Sequence, residues 1–253
     1  MPTRLENYVK TLQLEQLFKK LGVSNPNALK KEAEYFTVKE AKKRDKIVIN
    51  YFGECGTNRI VDTVSELLLD RAKLTTNAKV LDVGAGSGFF TVKIADKIRA
   101  KLPRTSFYAM DMTPAMLLSL EKKNAKITSF IGIAENIEGS IKEARMWLNI
   151  PNRFDAVFST LMLHHSIAPE RVFKSLKKVL KKDGKVIVVD LCEHRFEEFR
   201  TEMGDIHLGF DPNKIYEMAH KYFTEVTVDK IPGISCECSG RATEIFVAYM
   251  QKR

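Results

Sequence analysis

A short motif combines one carboxylate with three glycines at alternate positions: Asp82, Gly84, Gly86 and Gly88. Glycine lets the backbone turn sharply and lets a ligand approach where a Cβ atom would collide. Residues 78–81 are mostly apolar and predict a buried parallel strand, whereas residues 89–100 predict a helix. A strand, a glycine loop and a helix N-terminus in this order predict a nucleotide-binding corner.

The spacing of the glycines indicates which kind of nucleotide this corner would bind. A dinucleotide fingerprint, G-x-G-x-x-G, needs its third glycine where this chain has Phe89, so that fingerprint fails. The order D-x-G-x-G-x-G closely resembles motif I of the class I S-adenosylmethionine (SAM)-dependent methyltransferases. The resemblance implies that Asp82 helps to hold the amino group of SAM. It also implies that the methionine part lies over the loop formed by Gly84, Ala85, Gly86 and Gly88.

A second carboxylate, Asp111, ends the apolar run of residues 107–111. Its two oxygens can accept hydrogen bonds from both hydroxyls of a ribose. The family keeps an acid with this role after its second strand, so the resemblance implies that Asp111 grips the ribose and that Met112 packs against the adenine. Thr113 and Pro114 suit the cap and the first turn of the next helix.

The predicted third strand, residues 127–133, leads into a short polar group. This group, Ala134, Glu135 and Asn136, resembles the family segment that meets the adenine ring. The resemblance implies a contact from Glu135 or from the backbone beside it. The same residues are also suited to capping the following helix, and the two roles are compatible.

Two adjacent histidines follow the predicted fourth strand, residues 154–160. The stretch from Phe154 to His165 resembles motif IV of ubiquinone/menaquinone-type small-molecule methyltransferases, and on this resemblance Ser159 is assigned to the cofactor site. Either His164 or His165 could take a proton from the acceptor, since a neutral imidazole has a suitable pKa. The alternative is that they only brace the backbone. A downstream segment adds further candidates: Glu193, His194, Asp205 and His207.

The order of the predicted elements indicates an α/β fold. We predict a Rossmann-like, seven-stranded and mostly parallel sheet with helices on both faces, an antiparallel C-terminal strand and an N-terminal helical addition. Within residues 180–190, a helix ends at a Lys-Lys-Asp-Gly turn and a fifth strand follows. Residues 223–231 and 242–250 predict a closing hairpin with a long connection between them, residues 232–241.

The segment before the glycine loop predicts helices. Apolar spacing from Leu5 to Leu21 predicts one amphipathic helix, and residues 59–74 predict another. The resemblance implies a lid over SAM and the acceptor, in which Tyr51 and Phe52 either line the pocket or anchor a helix to the core. We assign residues 1–56 to this lid or addition and residues 57–253 to the SAM-binding domain.

The formal net charge of +9 keeps an RNA acceptor open as a minority alternative. The lysines of residues 171–182 fall mainly on the polar face of a helix, as solvated charge does. Residues 159–162 also lack the Asn/Asp-Pro-Pro-aromatic tetrad of enzymes that methylate base amines. The leading prediction is therefore methyl transfer from SAM to an oxygen, nitrogen or carbon of a small-molecule acceptor.

Two further alternatives stay open. The stretch from Tyr51 to Gly56 loosely resembles the loop of arsenite methyltransferases, whose thiolate set could here be supplied by four cysteines: Cys55, Cys192, Cys236 and Cys238. A SAM-binding partner subunit without turnover is the other alternative. We predict no resident metal ion and no membrane span, and a cytoplasmic location because the cysteines are too few for a disulfide scaffold. The oligomeric state stays open.

Overall fold

A seven-stranded sheet forms the centre of the protein in the computed structural model, which describes residues 3–35, 38–124 and 126–252. The strands in chain order are β1 Lys79–Val83, β2 Ser106–Asp111, β3 Thr128–Ile131, β4 Phe154–Thr160, β5 Leu180–Leu191, β6 Thr224–Cys238 and β7 Arg241–Gln251. Their order across the sheet is β3-β2-β1-β4-β5-β7-β6. Strands β1 to β5 pair in parallel, and β7 is antiparallel to both of its neighbours. The predicted fold class is confirmed.

Ten α-helices lie in the described part of the chain. They are α1 Arg4–Thr11, α2 Leu14–Lys20, α3 Pro26–Tyr35, α4 Val38–Glu66, α5 Phe89–Lys101, α6 Pro114–Lys123, α7 Ile137–Ala144, α8 Pro169–Lys178, α9 Glu198–Met203 and α10 Pro212–His220. A π-helical turn, Leu67–Arg71, continues α4, and two 3-10 turns occupy Ala134–Asn136 and Leu163–His165. None of these helices is both long and apolar enough to cross a membrane.

Alternate residues of the central strands pack in two separate hydrophobic cores, because successive side chains of a strand point to opposite faces of the sheet. Leu81 and Val157 belong to the core that packs under α1, α2, α7, α8 and α10. Val80 and Ala156 belong to the core under α4 and α5. Helices therefore cover both faces of the sheet, and the near-continuous apolar character of β1 and β4 reflects this double burial.

The N-terminal segment differs from its prediction. The single helix expected between Leu5 and Leu21 is two helices, because Leu12 and Gln13 have extended backbone between α1 and α2. Apolar spacing did not reveal the break, since both pieces bury their apolar side chains in the same core. Helix α4 is kinked at Gly53 (φ 66°, ψ 168°), and it runs through the predicted domain boundary between residues 56 and 57.

The C-terminal hairpin also corrects a prediction. The long connection expected over residues 232–241 does not exist, because β6 continues to Cys238 and pairs with β7 again from Ser235 onward. Ser239 and Gly240, both with positive φ, form the two-residue turn that twisted hairpins favour. The Pro-Gly pair at residues 232–233 lies within a register shift between Lys230 and Ser235 rather than in a loop.

The Lys-Lys-Asp-Gly segment before the fifth strand is a further correction. Helix α8 ends at Lys178, and β5 already begins at Leu180, so the segment belongs to the strand element. Asp183 has positive φ there, and the register with β4 shifts between Phe154 and Ala156. The chain thus makes its turn as an irregularity inside the paired segment.

Candidate active site

The glycine loop connects β1 to α5 at the carboxyl edge of the sheet. The backbone N–H groups of Gly84 and Ala85 donate to the Met110 carbonyl at 2.8 and 3.1 Å, which fixes the loop to the end of β2. A Cβ atom on Gly84 would lie 2.1 Å from Cγ of Met162, and one on Gly88 would lie 2.4 Å from Cγ of Leu120. These two glycines are therefore required by close packing.

Gly86 has a different environment. All three glycines have positive φ, but a Cβ atom on Gly86 would meet no atom within 4 Å. Gly86 also lines the cleft above the loop, together with Gly84 and Ala85. Its missing side chain thus leaves open space on the cleft side, which is the room that a ligand lying on the backbone needs.

Asp82 lies under this loop on β1 and is only 2% exposed. Its Oδ2 accepts a hydrogen bond of 2.6 Å from the Thr91 hydroxyl, whereas its Oδ1 has no hydrogen-bond partner in the described part of the chain. Burial raises the pKa of Asp82 to about 7, although the Thr91 bond opposes this shift. An unpartnered buried carboxylate oxygen is costly, so a donor from a bound molecule would relieve it.

Asp111 holds the glycine loop from the end of β2. Its Oδ2 accepts the backbone N–H of Gly86 at 2.8 Å, and its Oδ1 accepts that of Thr113 at 2.9 Å. Each oxygen keeps a further lone pair for a ligand hydroxyl. Thr113 occupies the N-cap position of α6 as expected, but its own side chain makes no capping bond. Met112, beside Asp111, is half-buried against the core.

The polar group after β3 contacts the loop after β4. Glu135 accepts a hydrogen bond of 2.9 Å from the Ser166 hydroxyl, and Ala134 and Glu135 are both half-buried. The capping role foreseen for this group belongs to Asn136, whose side chain accepts the N–H of Gly139 at 3.0 Å. The structure therefore places Glu135 at the same edge of the sheet as the glycine loop.

Ser159, assigned to the cofactor site on resemblance, has its hydroxyl engaged within the sheet. The hydroxyl donates to the Val83 carbonyl at 2.8 Å and is buried, so it joins β4 to β1. The next residue, Thr160, lines the cleft and has a buried hydroxyl without a hydrogen-bond partner among the described residues. The Ser159 assignment stays a prediction, and Thr160 is the neighbouring polar group that sequence reasoning did not select.

His164 is held between two carboxylates at the wall of the cleft. Its Nδ1 lies 2.6 Å from Oδ1 of Asp190, at the end of β5, and its Nε2 lies 3.6 Å from Oδ1 of Asp205. The second oxygen of Asp190 accepts the Leu163 N–H at 2.7 Å. Burial acts to lower the pKa of His164, but the Asp190 carboxylate outweighs it and raises that pKa above its usual value.

The other three candidate histidines, His165, His194 and His207, are not among the residues that line this cleft. Nδ1 of His165 lies 3.3 Å from the Gly204 carbonyl, and Nε2 of His207 lies 2.9 Å from the Ser166 carbonyl. A carbonyl oxygen only accepts, so each of these nitrogens carries the proton. Burial lowers the pKa of His165 well below its usual value and keeps the ring neutral. His165 and His207 thus contact the backbone of loops around His164, which is the alternative raised for His165, and the catalytic assignment of both residues stays a prediction.

Helix α4 covers the glycine loop and closes one side of the cleft. Arg44, Tyr51 and Phe52 line the cleft opposite the loop. Phe52 also belongs to the core under α4 and Tyr51 packs against that core, so their positions fit both roles considered for the aromatic residues. Asp45 accepts a hydrogen bond of 2.7 Å from the Ser87 hydroxyl and pairs with Lys123 at 2.6 Å. Arg44 and Asp45 were not foreseen, because their contacts depend on how α4 lies across the loop.

The cysteines do not form the thiolate set considered from the sequence. Cys55 is exposed, and the other three are buried. Strand β7 separates Cys192, after β5, from Cys236 on β6. Burial raises the pKa of Cys192 to about 11 and that of Cys236 further still, which disfavours thiolates. Within residues 3–35, 38–124 and 126–252, no group of three potential metal ligands includes a cysteine.

Curated proteins with similar sequences include polyketide synthases and methyltransferases. The chain is 25% identical over 158 residues to polyketide synthase PksR of Bacillus subtilis, a match that covers 61% of this chain and 6% of that protein. It is 25% identical over 126 residues to malonyl-[acyl-carrier protein] O-methyltransferase of Legionella pneumophila, a match that covers 49% of this chain and 39% of that protein. The chain thus spans well under half the length of these relatives.

A solved structure and a family model agree with the fold. The SAM-dependent methyltransferase from Aquifex aeolicus superposes with a TM-score of 0.55 at 16% identity, over 86% of this chain and all of that one. The family model described as a methyltransferase domain matches residues 74–228, which run from just before β1 into β6 and include every candidate residue from Asp82 to His207. The chain therefore belongs to this methyltransferase-domain family, within the class I SAM-dependent superfamily that its glycine loop resembles.

Proposed function

We propose that this protein transfers the methyl group of SAM to a nucleophilic oxygen, nitrogen or carbon of a small-molecule acceptor. The observation that carries the proposal is the cleft over the glycine loop, which Gly84, Ala85 and Gly86 line and where Gly86 leaves open space. Asp111 accepts the Gly86 N–H of this loop. When bound, SAM supplies an activated methyl group on a sulfonium, so the protein needs to supply position and a dry site.

The residues around the cleft divide this work. Asp111 and the glycine loop hold the nucleoside end, and Asp82 lies where a positive amino group would compensate its charge. Tyr51 and Phe52 on α4 exclude water from the opposite side. Arg44 adds a positive charge to the cleft, which favours an acceptor that carries a carboxylate or another anionic group.

The alternatives have less support. An RNA acceptor is supported by the net charge of +9 and by 26% identity over 160 residues to ribosomal RNA small subunit methyltransferase C of Buchnera aphidicola, a match that covers 44% of that protein. Against it, the stretch Ser159–Met162 lacks the tetrad of base-amine methyltransferases. The thiolate set of the metalloid alternative is not assembled in the structure. A non-catalytic partner subunit would not need Thr160 and His164 beside the glycine loop. The cytoplasmic location remains part of the proposal, on the cysteine content.

The direct test is calorimetric titration with SAM and S-adenosylhomocysteine, with NAD as the control ligand. We expect micromolar binding of both SAM compounds and none of NAD. Candidate acceptors are then screened by measuring the release of S-adenosylhomocysteine. They include carboxylated small molecules and malonyl thioesters. Failure to bind SAM would overturn the proposal, and binding without turnover on any acceptor would favour the partner-subunit alternative.

The raised pKa of Asp82 predicts how SAM binding depends on pH. Below pH 7 the buried carboxyl is protonated in the free protein, and the positive amino group of SAM favours the carboxylate, so binding must release a proton. The affinity for SAM should therefore rise by up to about tenfold per pH unit from about pH 5.5, and it should level off near pH 7. Calorimetry in two buffers with different ionisation enthalpies counts the released protons.

The matched control for this pH dependence is Asp82→Asn, which keeps the shape of the side chain but cannot titrate. Its SAM affinity should be weaker and flat over the same range, and it also reports any titration of SAM itself. A wild-type affinity that does not change between about pH 5.5 and 7 would exclude a pairing between Asp82 and the amino group.

A further inference from the structure

A cluster of three potential ligands, of which two are buried and His165 is half-buried, lies beside the cleft and goes beyond the proposed methyl transfer. His164, His165 and Asp205 each offer one ligand atom, and these atoms all lie within 4.8 Å of one another. This is the one such group of three or more in the part of the chain that the structure describes. The side chains of His164 and Asp205 are 2% and 0% exposed, so the cluster is not a patch of surface charge.

The Asp205 carboxylate lacks the partners that a buried acid requires. Neither of its oxygens has a hydrogen-bond partner within the described residues, although the side chain is fully buried. Leaving a charged group in this state is costly, because it has lost its water without gaining a donor. Nε2 of His164 lies 3.6 Å from Oδ1 of Asp205, beyond a hydrogen bond.

That separation suits an ion between the two groups. Two ligand atoms about 2.1 Å from a tetrahedral metal lie about 3.4 Å apart, close to the observed 3.6 Å. The other nitrogen of each ring is engaged, because Nδ1 of His164 faces the Asp190 carboxylate and Nδ1 of His165 faces the Gly204 carbonyl. In each ring, Nε2 is thus left with the lone pair that a metal needs.

The surroundings already have the form of a metal site. A carboxylate behind a ligating histidine, as Asp190 is behind His164, fixes the ring and increases its basicity. Asp205 is held in place by its own backbone neighbours, since Ile206 and His207 donate N–H bonds of 3.1 and 2.9 Å to the His164 carbonyl. The two carboxylates of Asp190 and Asp205 lie on either side of the His164 imidazole.

We propose that His164, His165 and Asp205 bind one divalent transition-metal cation at the acceptor side of the cleft. Two imidazoles and one carboxylate favour ions such as Zn²⁺, Mn²⁺, Fe²⁺ or Co²⁺ over Ca²⁺ or Mg²⁺. Of the three ligands, His164 also lines the cleft, so the ion would lie beside that cleft. This assignment gives Nε2 of His164 to a metal instead of a proton and replaces the expectation that no metal is bound.

The test measures metal binding directly on the full chain without an affinity tag. Protein stripped with a chelator is titrated with Zn²⁺, Mn²⁺ and Co²⁺ by calorimetry, the metal content is measured by mass spectrometry, and Co²⁺ coordination is followed by visible absorption. We expect one ion per chain for at least one of these metals. Asp205→Asn and His165→Gln should abolish this binding, and Asp190→Asn should weaken it about 10–100-fold.

The matched control removes two exposed potential ligands elsewhere, in the double variant Cys55→Ser, His220→Gln. Its metal affinity should equal that of the wild type. No binding by the wild type, equal binding by Asp205→Asn, or loss of binding in the control would overturn the assignment. Circular dichroism checks that each variant is folded. SAM titration of the same samples separates the two proposals, because a protein that binds SAM but no metal contradicts only this one.

Discussion

Replacing His164 with alanine should lower the free energy of unfolding by about 3–5 kcal/mol, because it leaves the carboxylate of Asp190 buried without its main partner. Both side chains are almost completely inaccessible, and their contact is 2.6 Å long. The N–H groups of Leu163 and Leu191 still donate to Asp190 in the variant, so the loss should lie toward the lower end of this range. Urea denaturation in the presence of a chelator measures the effect without any contribution from a bound metal.

His207→Ala is the matched control, since it also removes an imidazole from this region but leaves no buried carboxylate. It should cost only about 1 kcal/mol, the usual value of a single hydrogen bond. The double variant His164→Ala, Asp190→Asn should lose clearly less than the sum of the two single losses, because the second change removes the stranded charge. Equal losses for His164→Ala and His207→Ala would contradict a buried charge pair.

Asp111→Ala should weaken the binding of SAM and S-adenosylhomocysteine by about 1.5–3 kcal/mol, which is about 10- to 150-fold. The carboxylate accepts N–H bonds from Gly86 and Thr113, so the variant loses the support of the loop as well as any bond to the ribose. Calorimetry gives the affinity of each variant. The control is Glu217→Ala, which removes an exposed acid on α10. This variant should leave the affinity for SAM and S-adenosylhomocysteine unchanged.

A ligand variant separates the two roles of Asp111. The 2′-deoxy analogue of S-adenosylhomocysteine lacks one of the hydroxyls that a carboxylate would grip. If Asp111 binds the ribose, removing the hydroxyl should cost affinity in the wild type and almost none in Asp111→Ala. Equal losses in both proteins would assign Asp111 to holding the loop alone, and an unchanged affinity in Asp111→Ala would exclude both roles.

We propose that the N-terminal helices form a lid over the cleft. Their attachment to the glycine loop is specific, since Asp45 on α4 contacts both the Ser87 hydroxyl and Lys123. The predicted boundary after residue 56 lies inside α4, so the part that covers the cleft and the part that packs on the sheet share one helix. A movement of this lid would need a hinge within α4, and Gly53 is the one residue of that helix with non-helical backbone.

The sequence alone was sufficient to predict the elements whose structure depends on a few neighbouring residues. The strand before Asp82, the glycine loop and the helix after it follow from a few adjacent residues, and so does Asp111 at the end of β2. Apolar runs located five parallel strands, because a strand buried on both faces needs apolar residues at nearly every position. The type of sheet and the family could therefore be predicted from short stretches of chain.

Only the tertiary structure decided which distant side chains meet. His164, Asp190 and Asp205 come from three separate segments, and nothing in their local sequence shows that two carboxylates flank one imidazole. The break between α1 and α2 and the continuation of β6 past Pro232 were missed for a related reason. Burial and strand pairing with remote residues outweigh local turn preferences there, and those energies become available only once the chain has folded.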